Sequence, residues 1–291
     1  MKRSFFILSG IFLLSGLFGT NASAQGDVLD GIYVKEHVPA RKPIPYYHLR
    51  EADVMWSKRI WRMIDLKEKI NHPLYFPTKP YKEQPFNDRF SLICLLLYGV
   101  EKEGLVVYDP DIDDQFTVPI TPGDLEVRMG GGVDTVEVED PETFVITMKI
   151  VPKERRVEEV TRLMMKEEWY FDKQRSKMEV RIIGLCPIRT YYRPDDYDKE
   201  NLEMKKVMWV YYPSVRHIFA NNEVFNPYND TERRTFEDIF FMRKFSSFIY
   251  QETNVYNNRR IEQYRKGLDA LLESEKIKDF MFKVEHDLWE F

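Results

Sequence analysis

The sequence predicts an α+β fold: a central, mostly antiparallel sheet flanked by N-terminal and C-terminal helices, with an extended N-terminal arm. Three observations carry this. Short β-like runs separated by Gly, Pro and Asp turns crowd the stretch from Leu105 to Tyr212. Apolar residues at helical spacing stand on both sides of it. Hydrophobic residues make up 43% and aromatic residues 14% of the 291 positions, enough for a packed core and too many for a disordered chain. Helices before and after a sheet region point to α+β organisation.

Residues 1–24 read as a secretory signal. Lys2 and Arg3 start it, an apolar run from Phe5 to Phe18 follows, and Ala22 and Ala24 stand at the −3 and −1 positions of a signal-peptidase site. The run is short for a membrane span, which favours cleavage over an uncleaved anchor. No Cys follows the expected cut, so the mature chain should carry no lipid; it would begin at Gln25 and run for 267 residues. Residues 25–47 form the predicted arm. Pro39, Pro43 and Pro45 oppose helix, and the apolar residues among them, Tyr33, Tyr46 and Tyr47 included, make a plain solvated tail a poor reading. The arm packs either on its own body or on a neighbour. Residues 48–291 are read as a single globular domain.

Within that domain, Val54, Trp56, Ile60, Trp61, Ile64 and Leu66 recur at mixed three- and four-residue spacing, which predicts a helix from Arg50 to Ile70 that stops at Asn71-His72-Pro73. A connector holding Pro73, Pro77, Pro80 and Pro85 leads to a second helix, capped near Asn87 or Asp88, that carries Phe90 to Tyr98 inward. Strands follow at Leu105–Tyr108, Thr117–Thr121, Leu125–Arg128, Asp134–Glu139 and Phe144–Val151, with Pro122-Gly123 as a turn and Gly130-Gly131-Gly132 as a hairpin tip. Two longer runs, Leu163–Phe171 and Met178–Tyr192, meet at a turn over Asp172–Ser176, and a strand over Lys205–Tyr212 stops at Pro213. Residues 235–291 are predicted helical: one helix from Thr235 to about Gln251, one carrying Ile261 to Leu272, and a last amphipathic one with Ile277, Phe280, Met281, Val284 and Leu288.

Charge and motifs exclude several functions. Without the signal, Lys plus Arg falls to 41 against 48 acids, a formal charge of −7, and the two signs interleave. No basic stripe exists for nucleic acid. Asp109, Asp111 and Asp113 match the opening of a calcium loop, but Asp114 replaces the required Gly and Ile120 the closing Glu, so a solvated acidic turn is the better reading. The three glycines lack the residues of a phosphate loop. The five histidines, His37, His48, His72, His217 and His286, show no zinc spacing. Ser214 and His217 are neighbours in sequence without any mark of an activated nucleophile. Glu167-Glu168 and Asp195-Asp196 read as ordinary charged surface. Cys94 and Cys186 lie in apolar runs, which favours two core thiols, with a disulfide left open in an oxidising compartment. No catalytic, cofactor-binding or metal-binding residue is assigned.

From Trp169 onward a resemblance appears. Trp169-Tyr170-Phe171-Asp172, Val180-Arg181-Ile182-Ile183-Gly184-Leu185-Cys186-Pro187-Ile188, Trp209-Val210-Tyr211-Tyr212-Pro213, Val224-Phe225-Asn226-Pro227-Tyr228-Asn229-Asp230, Arg234-Thr235-Phe236-Glu237-Asp238-Ile239-Phe240 and Glu252-Thr253-Asn254-Val255-Tyr256 together resemble the gliding-motility N family of Bacteroidetes, GldN, called PorN in non-gliding relatives. The motifs cover about residues 165 to 276. The resemblance implies a non-catalytic periplasmic subunit of the type IX secretion system. Its partners would be an outer-membrane lipoprotein, GldK or PorK, and the periplasmic part of an inner-membrane motor complex, GldM or PorM. With the lipoprotein it would self-associate in a ring at the inner face of the outer membrane. Interface anchors are expected at Tyr33, Tyr46 and Tyr47 in the arm and at Phe280, Leu288 and Trp289 in the last helix, since aromatic side chains give large contact area at low entropic cost. The competing readings are an exported hydrolase with a dispersed site and a periplasmic small-ligand-binding module.

Overall fold

The computed structural model describes residues 32, 41–78, 89–139, 146–193, 201–229 and 231–289. The expected signal, most of the expected arm with Tyr33, and the Asp195-Asp196 pair fall outside them. Nine strands and six helices follow one another in the order β1 (Val54–Asp65), α1 (His72–Tyr75), α2 (Leu92–Lys102), β2 (Val107–Tyr108), α3 (Pro122–Arg128), β3 (Gly132–Glu139), β4 (Ile146–Lys153), β5 (Val160–Asp172), β6 (Lys177–Tyr192), β7 (Leu202–Lys206), β8 (Trp209–Tyr211), α4 (Tyr212–Asn221), α5 (Phe236–Phe241), β9 (Phe248–Glu252) and α6 (Leu268–Trp289), counted among the described residues. The predicted α+β class is the observed one. The main sheet runs β2-β8-β6-β5-β1-β9, with β7 on β6, and β3–β4 form a separate hairpin. All these pairings are antiparallel.

The segment predicted as the first helix is β1, and the reason is burial on both faces. Side chains alternate across a strand. Ile60, Arg62 and Ile64 therefore point one way and Trp61 and Met63 the other, and all five are buried. Two interleaved period-2 patterns leave apolar residues at spacings of one, three and four, which imitates a helix. The first face meets the helices. Ile64, Leu163, Met165 and Leu185 pack with α2, α4 and α5 in the largest core cluster. Farther along the same face, Ile60 and Ile249 pack with Ile277 and Met281 of α6. The second face carries Trp61, Met63, Met164, Cys186, Ile188 and Trp209, capped by Tyr108, Phe116 and Tyr250.

Several helix starts carry cap residues that local strand propensity obscured. Thr121 accepts a hydrogen bond from the backbone N–H of Asp124 and Pro122 opens α3, so the expected turn and strand there are one short helix. Pro213 opens α4 instead of merely ending a strand, and the strand before it is split into β7 and β8. Thr235 and Asp238 form a reciprocal capping box on α5. That helix is only six residues long, and a turn followed by β9 from Phe248 takes up the rest of the span expected to be helical. Past a 3-10 turn at Ile261–Gln263, the last two expected helices are one, α6, preceded by Gly267 at φ +59°. The second expected helix is α2, starting at Leu92 and capped by Ser91, whose hydroxyl accepts from Cys94 N–H at 3.2 Å; Asn87 and Asp88, the caps expected for it, lie outside the described residues. The three glycines link α3 to β3 rather than closing a hairpin. Thr117–Thr121 contributes only a bridge from Pro119 to Tyr108. Gly184 on β6 permits the closest approach: a Cβ there would lie 2.5 Å from the Phe116 ring that holds the 109–121 segment on the second face. Among the described residues no helix is long and apolar enough to cross a membrane.

Candidate interaction surface

The acidic run offers no vacant ligand set, because its carboxylates are engaged by the protein. Asp109 accepts two hydrogen bonds from Arg128 at 2.8 and 3.0 Å, and Asp111 lies 2.9 Å from the same guanidinium. Asp113 accepts from the Thr117 hydroxyl, which holds its carboxyl below the ordinary carboxylate range. Asp114 accepts from Trp61 Nε1 at 3.0 Å, and its carbonyl accepts from the buried Lys166 ammonium at 2.6 Å. Among the described residues no group of three His, Cys, Asp or Glu is placed to hold a metal ion. Ser214 donates to the Tyr211 carbonyl at 2.8 Å, whereas His217 lies 3.3 Å from Glu103, so the two are not joined as nucleophile and base.

Both cysteines are buried free thiols. Cys94 belongs to the helical face of the sheet and Cys186 to the opposite one, so the sheet lies between them. Burial pushes the Cys186 thiol up to about 12 from 9.0, and burial, reinforced by the Glu179 hydrogen bond, raises Tyr170 to about 12 from 10.0. A raised folded-state value means that the neutral form is favoured in the native state. That contribution is complete below the unfolded value and disappears as pH climbs through the folded one. Urea-melt stability should therefore fall between about pH 9 and pH 12, with a shallower fall in Cys186→Ala, and thiol reagents should label neither cysteine at neutral pH before unfolding.

Of the Glu167-Glu168 pair, Glu168 is ordinary charged surface and Glu167 is not. Glu167 is fully buried on the helical face. One carboxylate oxygen accepts from Arg62 Nε at 3.2 Å and from Trp169 Nε1 at 2.9 Å. The other lies 2.8 Å from an Arg243 nitrogen, an ionic contact too poorly aligned to be a hydrogen bond. Arg243 reaches it from the α5–β9 connection with φ at +53°, over the Trp169 ring. Burial also lowers Arg62 from its ordinary value. Two arginines and one glutamate thus fill the helical face between the α2/α4/α5 cluster and the α6 cluster. Alternation along β5 was the available signal: with Met165 inward, Glu167 must be inward too.

The end of the arm lies on its own body. Arg41 N–H donates to Asn221 Oδ1 at 2.9 Å. The Ile44 carbonyl accepts from Arg216 at 2.6 Å, and that guanidinium sits 4.1 Å from the Tyr46 ring centre. Tyr47 stacks on Arg175 at 3.8 Å, and its carbonyl accepts from Arg181 at 2.6 Å. Arg216 is itself fixed by buried Glu237, which also accepts from the Tyr212 hydroxyl at 2.9 Å. Of the expected anchors on α6, Phe280 is half-exposed beside Lys58 at 5.4 Å and Leu288 is partly buried; the Trp289 side chain lies outside the described residues.

The expected anchors do not include the larger apolar surface. A groove of about 890 Å³ opens between α1 and the segments around α5, with Leu74 and Ile239 in it beside Ile70, Phe76, Phe225 and Tyr228. Tyr228 is 91% exposed, a large aromatic left in water. On α6 the buried residues Ser274, Ile277 and Met281 face β9, while Leu268, Leu271, Leu272 and Phe282 are exposed. This helix is apolar on two sides, so its amphipathic pattern concealed the outward one.

No curated protein matches the chain. A family model, described as Gliding motility associated protein GldN, matches residues 49–290. That span runs from the approach to β1 to the end of α6 and takes in the whole main sheet, the buried Glu167 cluster and both exposed apolar surfaces. The chain belongs to the GldN family of gliding motility associated proteins.

Proposed function

We propose that this protein is a non-catalytic structural subunit of the gliding motility and type IX secretion machinery, working by contacts with other proteins. In this reading it is exported by its signal and sits in the periplasm. There it is held at the inner face of the outer membrane by a GldK/PorK-type lipoprotein, and it self-associates in a ring that engages the GldM/PorM-type motor. The family match over residues 49–290 carries the proposal. Two features support it: Asp109 and Ser214, the polar residues weighed for chemistry, are tied into structural contacts, and large apolar side chains such as Tyr228 and Leu268 face outward.

The test is cross-linking of whole cell envelopes followed by affinity purification through a tag on this chain. The expected result is recovery of a lipoprotein and of further copies of the chain, with cross-links on the exposed apolar surfaces. Recovery of the chain alone, or steady substrate turnover by the purified protein, would end the proposal.

A further inference from the structure

The groove between α1 and the α5 region has a net positive rim. Lys69, Arg234 and Lys244 border its apolar floor, Glu232 behind it accepts from Asn226 and Arg234, and among the described residues no acidic residue lines the groove itself. An occupant that suits it presents apolar side chains together with carboxylates. The chain itself carries such a surface. On α6, at 100° per residue, the inward side is centred on Ser274, Ile277 and Met281. Next to that side and turning away from it runs a stripe of Leu268, Leu271, Leu272, Glu275, Asp279 and Phe282, all exposed, with Asp279 and Phe282 at the rim of a shallow pocket over Arg62 and Trp169. Leucines stand at one end, phenylalanine at the other, and two carboxylates between.

We infer that the outward stripe of α6 docks in the groove of a second copy of this chain, with Glu275 and Asp279 facing Lys69 and Lys244. The inference rests on the reading of the chain as an assembly subunit and names the surfaces that join its copies. Stripe and groove are different patches, so the contact is head-to-tail. Each copy keeps one stripe and one groove free, and repetition gives a closed ring or an open filament according to the rotation between copies. Apolar contact supplies the attraction, and the opposed charges fix which surfaces meet.

The experiment is sedimentation velocity on protein purified from cells that express the full 291-residue chain. One variant reverses the groove, Lys69→Glu with Lys244→Glu, and a second reverses the stripe, Glu275→Lys with Asp279→Lys; all four positions are exposed. Each variant should weaken self-association by about tenfold or more, and a chain carrying all four changes should recover to within about threefold of the original. Circular dichroism checks that α6 survives the added lysines, and Leu271→Ser with Leu272→Ser gives the same loss without changing charge. A wild-type chain that stays monomeric to about 100 µM, variants that associate normally, or a fourfold variant no better than either pair overturns the contact. If the monomeric chain still retrieves a lipoprotein from envelopes, the assembly reading survives and only this contact fails. If it retrieves nothing, both fall.

Discussion

Glu167→Ala should lower the free energy of unfolding by about 3–5 kcal/mol, because it leaves two arginines facing each other with no carboxylate between them. Arg62 is about nine-tenths buried and cannot turn to water, and Arg243 is held over Trp169 by a left-handed backbone. The neighbouring Glu168→Ala is the control. Glu168 lies 3.7 Å from Arg59 with both side chains more than a third exposed, and such a pair is worth about 0–1 kcal/mol. Two adjacent, chemically identical residues should thus differ several-fold in cost when urea midpoints are compared. Equal costs would mean that water reaches the cluster and that Glu167 is no buried counter-ion. A triple variant, Arg62→Met, Glu167→Leu and Arg243→Met, should regain much of the loss, since removing every charge removes the desolvation penalty as well.

The contrast between Glu167 and Glu168 also shows what the sequence conveyed. The hairpin of β5 and β6 was legible because both strands are long and a turn with Asp and Ser separates them; Asp172 accepts from the Gln174 N–H there at 2.9 Å. Helix α2 was legible from its unbroken apolar run, whereas its cap was not: Ser91 caps it, four residues past the Asn87 expected there. Strand β1 was not, since a strand covered on both faces loses the alternation that identifies it. The short helices α3 and α5 were read as strand and as part of a longer helix because their apolar residues are few, and only the caps Thr121 and Thr235 distinguish them. The packing of the arm's end on the body was partly legible. Tyr46 and Tyr47 were singled out by aromatic content beside prolines, which marks a segment that packs. Tyr228 and Phe225 stayed hidden because exposure is a property of the tertiary fold: neither lies in a patterned element, and only folding brings them beside Ile70 and Phe76.

Arg216→Met should cost a similar 3–5 kcal/mol, and it should do so in two separable parts. Arg216 is the shared partner of the body and the arm. Its Nε donates to Glu237 at 2.8 Å, while a second nitrogen donates to the Ile44 carbonyl and the guanidinium plane lies under Tyr46. Removing it strands Glu237, which is 6% exposed and keeps only the Tyr212 hydroxyl, and it releases residues 41–47 at the same time. Tyr46→Ala isolates the second part. It forfeits stacking on Arg216 and Arg181, worth about 0.5–2 kcal/mol, and leaves the Arg216–Glu237 pair intact. Both variants should therefore accelerate tryptic cleavage after Arg41 under native conditions, where local release of the arm governs the rate. Only Arg216→Met should shift the global urea midpoint strongly. A midpoint loss in Tyr46→Ala as large as in Arg216→Met would show that arm and body unfold as one unit. With the body intact in Tyr46→Ala, the envelope purification then tests the arm alone. Lipoprotein recovery that drops in this variant makes the arm's seat on Arg216 part of the assembly surface, and unchanged recovery confines that seat to holding the chain's own N-terminal segment in place.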